Sequence, residues 1–281
     1  MFSKKIKIIL IFLLFYQSPL LSKSNNSNDF NAVNISKYFS GIVAFENKDN
    51  SKALNYLNSS KILLNRHDPY LEKLVMSLVL DNKVAQSINY IKLNREKTNS
   101  NFFEAYLLLA LDSLKKNNLD KAIEILSEVP ELLQKDRYDY IILNSLKQYL
   151  HVFNEKKILK SKENFGNFTL INETFQRCYL GDKNTDTFFS NLINNSEADY
   201  SRYIYFYLTH LIENNKLGKA EIIINDLDYV NSTLLISQGK SWFDGREFKK
   251  FNKIFSCKNY NDIIGEFLFL ISNIYSSQDE F

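Results

Sequence analysis

Two stretches of this chain repeat one another, and that repeat restricts the fold more than any other feature. Residues 105–126 read AYLLLALDSLKKNNLDKAIEIL, and residues 203–224 read YIYFYLTHLIENNKLGKAEIII. Each is an apolar stretch with helical spacing, a polar Asn-Asn turn, and a Leu-x-Lys-Ala opening to a second apolar stretch. A third copy starts at Tyr38, with Gly41 in its first half, Asn47 to Asn50 at its turn, and Ala53 and Leu57 in its second half. A unit of helix, short turn and helix cannot bury its apolar face alone, so neighbouring units must stack. The chain holds only 7 Gly and 3 Pro. Many-stranded folds consume turn residues, so this scarcity also points to long helices with short connections.

The three copies share a finer pattern. Gly41, Ala53 and Leu57 stand at the same spacing as Ala110, Ala122 and Leu126, and as Leu208, Ala220 and Ile224. Two helices joined by a tight turn approach closely where both side chains are small, and the large residue fills the space beside that contact. Leu208 is large for the small position. On these residues the chain resembles the tetratricopeptide (TPR) repeat family, most closely exported TPR-containing proteins of alphaproteobacteria, over residues 35–275. Further copies are degenerate. Residues 71–92 carry Ser87 at the Ala position, residues 143–159 have no Ala there, and residues 175–192 keep Gly181-Asp182 as the turn. The resemblance implies an all-α fold, an α-solenoid of about six TPR-like hairpins between residues 35 and 230, within a repeat domain of residues 35–281. Asp68-Pro69 and Val129-Pro130 mark helix ends, because proline cannot continue a helix.

The start of the chain is of another kind. Lys4, Lys5 and Lys7 precede the unbroken apolar run Ile8 to Tyr16, and Pro19 and Ser22 to Ser24 follow. This is the plan of a secretory signal peptide over residues 1–22, with cleavage near Ser22 to Ser24. The run is short of the roughly 20 apolar residues that a membrane span needs. An uncleaved leader would act as an anchor, the one route to membrane contact. Residues 25–31 are polar, and residues 23–34 read as a flexible lead-in. Export to the periplasm or cell envelope is the expectation. There Cys178 and Cys257, the two cysteines, would meet oxidising conditions. They lie 79 residues apart, which puts them about two repeats from each other, while a disulfide needs Cα atoms within about 7 Å. Two buried free thiols are therefore expected.

Charge excludes one class of partner. The chain has 35 basic and 32 acidic residues; without the three leader lysines the balance is 32 to 32. Nucleic-acid binding needs a clustered basic surplus, and Lys156-Lys157, Lys160 and Lys249-Lys250 are offset by nearby acids.

No catalytic or metal-binding pattern stands out, so neither a cofactor nor a metal is expected. Gly239-Lys240-Ser241 resembles the end of a phosphate-binding loop, but Leu234 stands where that loop needs its first Gly. His67, His151 and His210 lack a His, Cys or carboxylate at the spacing of a zinc-ligand pair. His67 reads as an exposed turn residue and His210 as a partly buried packing residue. Trp242 and Phe243 read as a plug beneath the Asp244-Gly245 turn, with anchoring of a partner as the alternative.

In the TPR family the first helices line a groove that holds a protein or peptide. By that resemblance the groove falls on Tyr38, Ile42 and Phe45, on Leu107, Leu111 and Leu114, and on Tyr205, Thr209 and Ile212. The same helices are apolar on their core sides, so the groove is either filled by the chain itself or holds an apolar partner segment. The expected function is a protein-interaction scaffold without catalysis; the alternative is an accessory or structural region of an envelope enzyme or assembly. Residues 263–275 read as a last helix that is apolar on nearly every side. A repeat array should end on a helix with a polar outer face. Phe267, Leu268, Leu270, Ile271 and Ile274 are therefore expected to form an exposed association surface. A second chain, a partner, or downstream sequence of a longer form would cover it.

Overall fold

The structure is a computed structural model that describes residues 31–95, 101–130, 137–160, 163–194, 201–227 and 233–277. It is all-helical, with no strand among the described residues. The leader and residues 23–30 of the lead-in lie outside the described residues. The chain divides into two compact units, residues 1–100 and 101–281, so the expected single repeat domain spans both.

The first unit holds α1 (Ala32–Glu46), α2 (Asn50–Asn58), a 3-10 turn at Lys61–Asn65, α3 (Pro69–Leu80) and α4 (Val84–Asn94). Helix α1 begins at Ala32, inside the stretch expected to be flexible, because the Asn31 carboxamide oxygen accepts the Val33 amide at 2.9 Å and caps the helix. Pro69 opens α3 at a position whose amide would have no intrahelical partner. Tyr38, Leu54, Leu57, Leu63, Tyr70, Leu74 and Leu78 form the core. The Tyr70 hydroxyl donates to the Leu57 carbonyl. A Cβ on Gly41 would lie 3.0 Å from Leu57 Cγ, so the small position of the sequence pattern is a real close approach.

The second unit holds α5 (Phe103–Lys115), α6 (Leu119–Ser127), α7 (Arg137–Glu155), α8 (Asn167–Leu180), α9 (Thr185–Ile193), α10 (Ser201–Glu213), α11 (Leu217–Asn225), α12 (Leu234–Asp244), a 3-10 segment at Phe248–Lys253, and α13 (Tyr260–Ser277). Ala110, Ala122 and Leu126 are buried in the α5–α6 hairpin, and Leu208, Ala220 and Ile224 in the α10–α11 hairpin. Helix α7 has no second helix behind it. It ends at Glu155, Lys156 follows with φ 55°, and residues 157–160 and 163–166 are not helical. The Leu159 amide there donates to Gln176 Oε1 at 3.1 Å. Among the described residues five two-helix hairpins thus stand where about six were expected.

The turns are built alike. A residue in the left-handed region follows the first helix of each hairpin, at Lys48, Asn82, Asn117, Gly181 and Asn215, and Arg246 follows α12 in the same way. The next amide donates to the carbonyl five residues earlier, as from Asp49 to Ala44 (2.9 Å), Lys83 to Leu78 (2.7 Å), Asn118 to Ser113 (2.9 Å) and Lys216 to Leu211 (2.8 Å). This bond satisfies carbonyls that a helix end otherwise leaves open. Asp49 and Asn118 then serve a second time, their side chains accepting the amides of Lys52 (3.2 Å) and Lys121 (3.0 Å) to start the next helix. One residue closes one helix with its backbone amide and opens the next with its short polar side chain, which suits Asn and Asp to the turns.

Candidate functional site

In the first unit the expected groove residues of α1 face the core. Tyr38 is buried, edge-on to His67 at 4.8 Å and beside Tyr70 at 5.9 Å. Ile42 packs partly buried against the same core, and Phe45 lies half-buried under the Lys73 ammonium at 5.1 Å. His67 is therefore a packing residue, half-buried, and not the exposed turn residue expected: the 3-10 turn before it brings the ring onto Tyr38. The open face of α1 is the adjacent one. Phe39 and Val43 are both 60 % exposed. With Ser36, Ser40, Asn47 and Tyr56 they border a depression of about 710 Å³. Thirty-four positions on, the counterparts of Ser36, Ser40 and Val43 are Tyr70, Leu74 and Ser77 of α3, all fully buried. The α1–α2 hairpin covers that face of α3, and nothing among the described residues of the unit does the same for α1.

In the second unit the expected groove positions divide. Leu107 and Leu111 of α5 are half-buried and Leu114 is buried. Tyr205, Thr209 and Ile212 of α10 are all buried. The cover over α10 is the chain's own C-terminal segment. Phe251 stacks on Tyr205 with centroids 5.4 Å apart, and the Tyr205 hydroxyl donates to the Phe251 carbonyl at 3.2 Å. Phe255 stacks on Phe206 at 4.0 Å and meets Phe175 at 5.5 Å. A Cβ at Gly239 of α12 would lie 3.3 Å from the Tyr205 ring, so the glycine of Gly239-Lys240-Ser241 serves close packing inside a helix. Trp242 is half-buried, 5.8 Å from Phe251, and Phe243 lies 5.5 Å from Phe248, as a plug beneath the turn would.

Two expectations are overturned along this segment. Cys178 and Cys257 form a disulfide, with Cα atoms 5.5 Å apart. The expected separation assumed two stacked helices. Cys257 instead sits in the non-helical stretch before α13, which crosses back over α8. The second correction concerns Phe267 of α13, which is not exposed, while Phe269 on the same helix is 44 % exposed. Ile263, Ile264 and Phe267 are buried, and Phe267 lies 5.7 Å from Tyr149 and 5.9 Å from Phe168. Leu268, Leu270 and Ile271 are half-buried, and the Ile274 side chain lies outside the described residues. Glu266, 5 % exposed, takes a two-pronged pair from Arg202, with bonds of 2.8 and 2.6 Å. Burial raises the Glu266 carboxyl above its ordinary range, and Arg202 opposes that rise. The chain's own α7 and α8 thus cover Phe267, and Arg202 of α10 pairs with Glu266.

The densest group of titratable side chains surrounds His210, which is buried and not partly buried as expected. Its Nε2 lies 3.3 Å from Asp186 Oδ1. Lys216 and Lys219 also bind that carboxylate, at 3.0 and 3.1 Å. His210 Nδ1 lies 3.4 Å from Cys178 Sγ and 3.3 Å from Asn214 Nδ2. Burial lowers the His210 pKa; Asp186 works the other way, and Lys216 and Lys219 add to the lowering. Burial acts to raise the Asp186 carboxyl, but the hydrogen bonds from Lys216 and Lys219 outweigh it and hold it below the ordinary value. The remaining histidine, His151, lines a cleft of about 350 Å³ between α6 and α7 with Lys147, Leu126 and Leu150. Among the described residues no three His, Cys, Asp or Glu side chains are grouped to hold a metal ion. Comparison with family models, with curated proteins and with solved structures finds no match.

Proposed function

We propose that the chain is an exported helical-repeat protein of the tetratricopeptide kind, which binds another protein through the open face of α1. The observation that carries this reading is the contrast between α1 and α3. Left-handed turn residues recur 34 positions apart from Lys48 to Asn82 and from Gly181 to Asn215, and 35 apart from Asn82 to Asn117. That is close to the tetratricopeptide period of about 34 residues. In such a register the equivalent face of α3 takes an amphipathic helix, so an amphipathic helix of another protein is the occupant that suits Phe39 and Val43 on α1 and Tyr56 on α2. The α10 face, closed by the chain's own segment, does not offer a groove. Export is supported by the disulfide, since such bonds persist in oxidising compartments. The leader read from the sequence agrees with it.

The test is a photo-crosslinking amino acid at position 40, expressed in the native cell. A crosslink to an apolar helical segment of a different protein, abolished by Phe39→Asp/Val43→Asp, is the expected result. Crosslinks only to residues 1–30 or to a second copy would overturn the reading.

A further inference from the structure

The Cys178–Cys257 bond is buried, with the two residues 4 % and 2 % exposed. A purely structural disulfide would sit well among apolar neighbours alone. This one has an imidazole against one sulfur and a carboxylate behind the imidazole: Cys178 Sγ, His210 Nδ1 at 3.4 Å, and His210 Nε2 to Asp186 at 3.3 Å. The same order of thiol, histidine and orienting carboxylate activates cysteine nucleophiles. Asp186 draws the imidazole proton to Nε2 and leaves the Nδ1 lone pair toward Asn214 and the sulfur. The residues after each cysteine, Tyr179 and Lys258, line an open depression of about 450 Å³ with Lys156 and Leu180. Solvent therefore reaches the immediate neighbour of each half of the bond.

We propose that Cys178–Cys257 is a thiol–disulfide exchange site, in which His210, positioned by Asp186, holds the proton of Cys178 once a dithiol has opened the bond. One thiol of the dithiol gives up its proton, which His210 Nδ1 takes up, and attacks Cys257 Sγ as a thiolate; the Cys178–Cys257 bond breaks, and Cys178 leaves as a thiolate paired with the imidazolium of His210. The second thiol of the dithiol then attacks the mixed disulfide, and Cys257 leaves and takes up a proton. The dithiol is oxidised to its disulfide, and the chain gains two electrons and two protons. A good leaving thiolate speeds the first step, and its stabilisation makes the bond easier to reduce. Lys216 and Lys219 bind the Asp186 carboxylate that faces His210 Nε2. On the Cys257 side Glu213 accepts the Ser256 hydroxyl at 2.6 Å, and Asp262 accepts the Ser256 amide at 2.9 Å.

Burial alone would push the Cys178 thiol above the ordinary cysteine value of about 8.5, whereas the imidazole would bring it below. The full chain carrying Cys257→Ser leaves Cys178 as its one thiol. Its titration is followed by the carbon-13 shift of the Cys178 β-carbon. The expected result is a Cys178 pKa at least about one unit below the ordinary value, which His210→Gln abolishes. In the otherwise native chain, His210→Gln slows reduction by dithiothreitol about tenfold, the kinetic counterpart of losing that stabilisation. Asp186→Asn acts in the same direction and keeps the test open if His210→Gln unfolds. A Cys178 that titrates at or above the ordinary value overturns the proposal without any further variant. So does a low value that neither His210→Gln nor Asp186→Asn changes.

Discussion

The first and last helices of the described chain are both apolar on too many sides for a single interface, and they end differently. Helix α1 leaves Phe39 and Val43 in solvent. Helix α13 and the stretch before it bury Phe251, Phe255, Ile263 and Phe267 against α7, α8 and α10. After α12 the chain has enough residues to fold back over its own unit, and the short turn at Gly245 to Glu247 aims it there. Each large side chain so buried stabilises by about 1.5–3 kcal/mol. An apolar helix face in a repeat therefore says that something covers it, not whether the cover is cis or trans.

The sharpest way to break this comparison is Phe255→Ala against Phe39→Ala. Phe255 is stacked and 3 % exposed, so its truncation should cost about 3–5 kcal/mol, while Phe39→Ala should stay within about 0.5 kcal/mol. Denaturant titration followed by Trp242, the single tryptophan and a reporter of the second unit, measures the first; circular dichroism measures the second. Equal effects would remove the distinction. Next in size, replacing both cysteines by Ser opens a 79-residue loop and should cost up to about 4.5 kcal/mol on the chain-entropy account. The aromatic contacts should hold the segment in place, so Phe255 should still be protected from hydrogen exchange in the double variant.

Gly41→Ala probes the first unit. Its new Cβ would lie 3.0 Å from Leu57 Cγ and 3.4 Å from Tyr56 Cβ, so a destabilisation of about 1–3 kcal/mol is expected by circular dichroism. A neutral result would mean that the α1–α2 hairpin opens at no cost. The smallest effect is on pH. The folded His210 pKa lies below its ordinary 6.5, so the unfolded chain binds the proton more readily. The resulting stability is complete above about 6.5 and declines as pH falls toward and through the folded value. His210→Gln should flatten the change in the Trp242-detected midpoint between about pH 7.5 and 5.5. An unchanged slope would place the titration elsewhere.

Much of the local structure was legible because it rests on local chemistry. The Asn-Asn turns could be read since one residue there ends a helix with its amide and begins the next with a short polar side chain, as Asn118 does. Gly41, Ala53 and Leu57 were readable because close helix approach demands that order of sizes. His210 was harder. Its partner Asp186 lies 24 positions earlier, on another helix, and no periodic signal links the two.

What the sequence by itself determined is the helical class, the position of the hairpins and the chemistry of their turns, all set by contacts within a few residues. The tertiary structure alone decided which apolar faces are covered. It decided that α7 stands without a second helix, that α13 lies against its own unit, and that Cys257 reaches Cys178. The physical reason is that burial has no direction along the chain. A helix apolar on all sides gains the same free energy from any neighbour that excludes water, and only the path of the chain through space selects which neighbour that is.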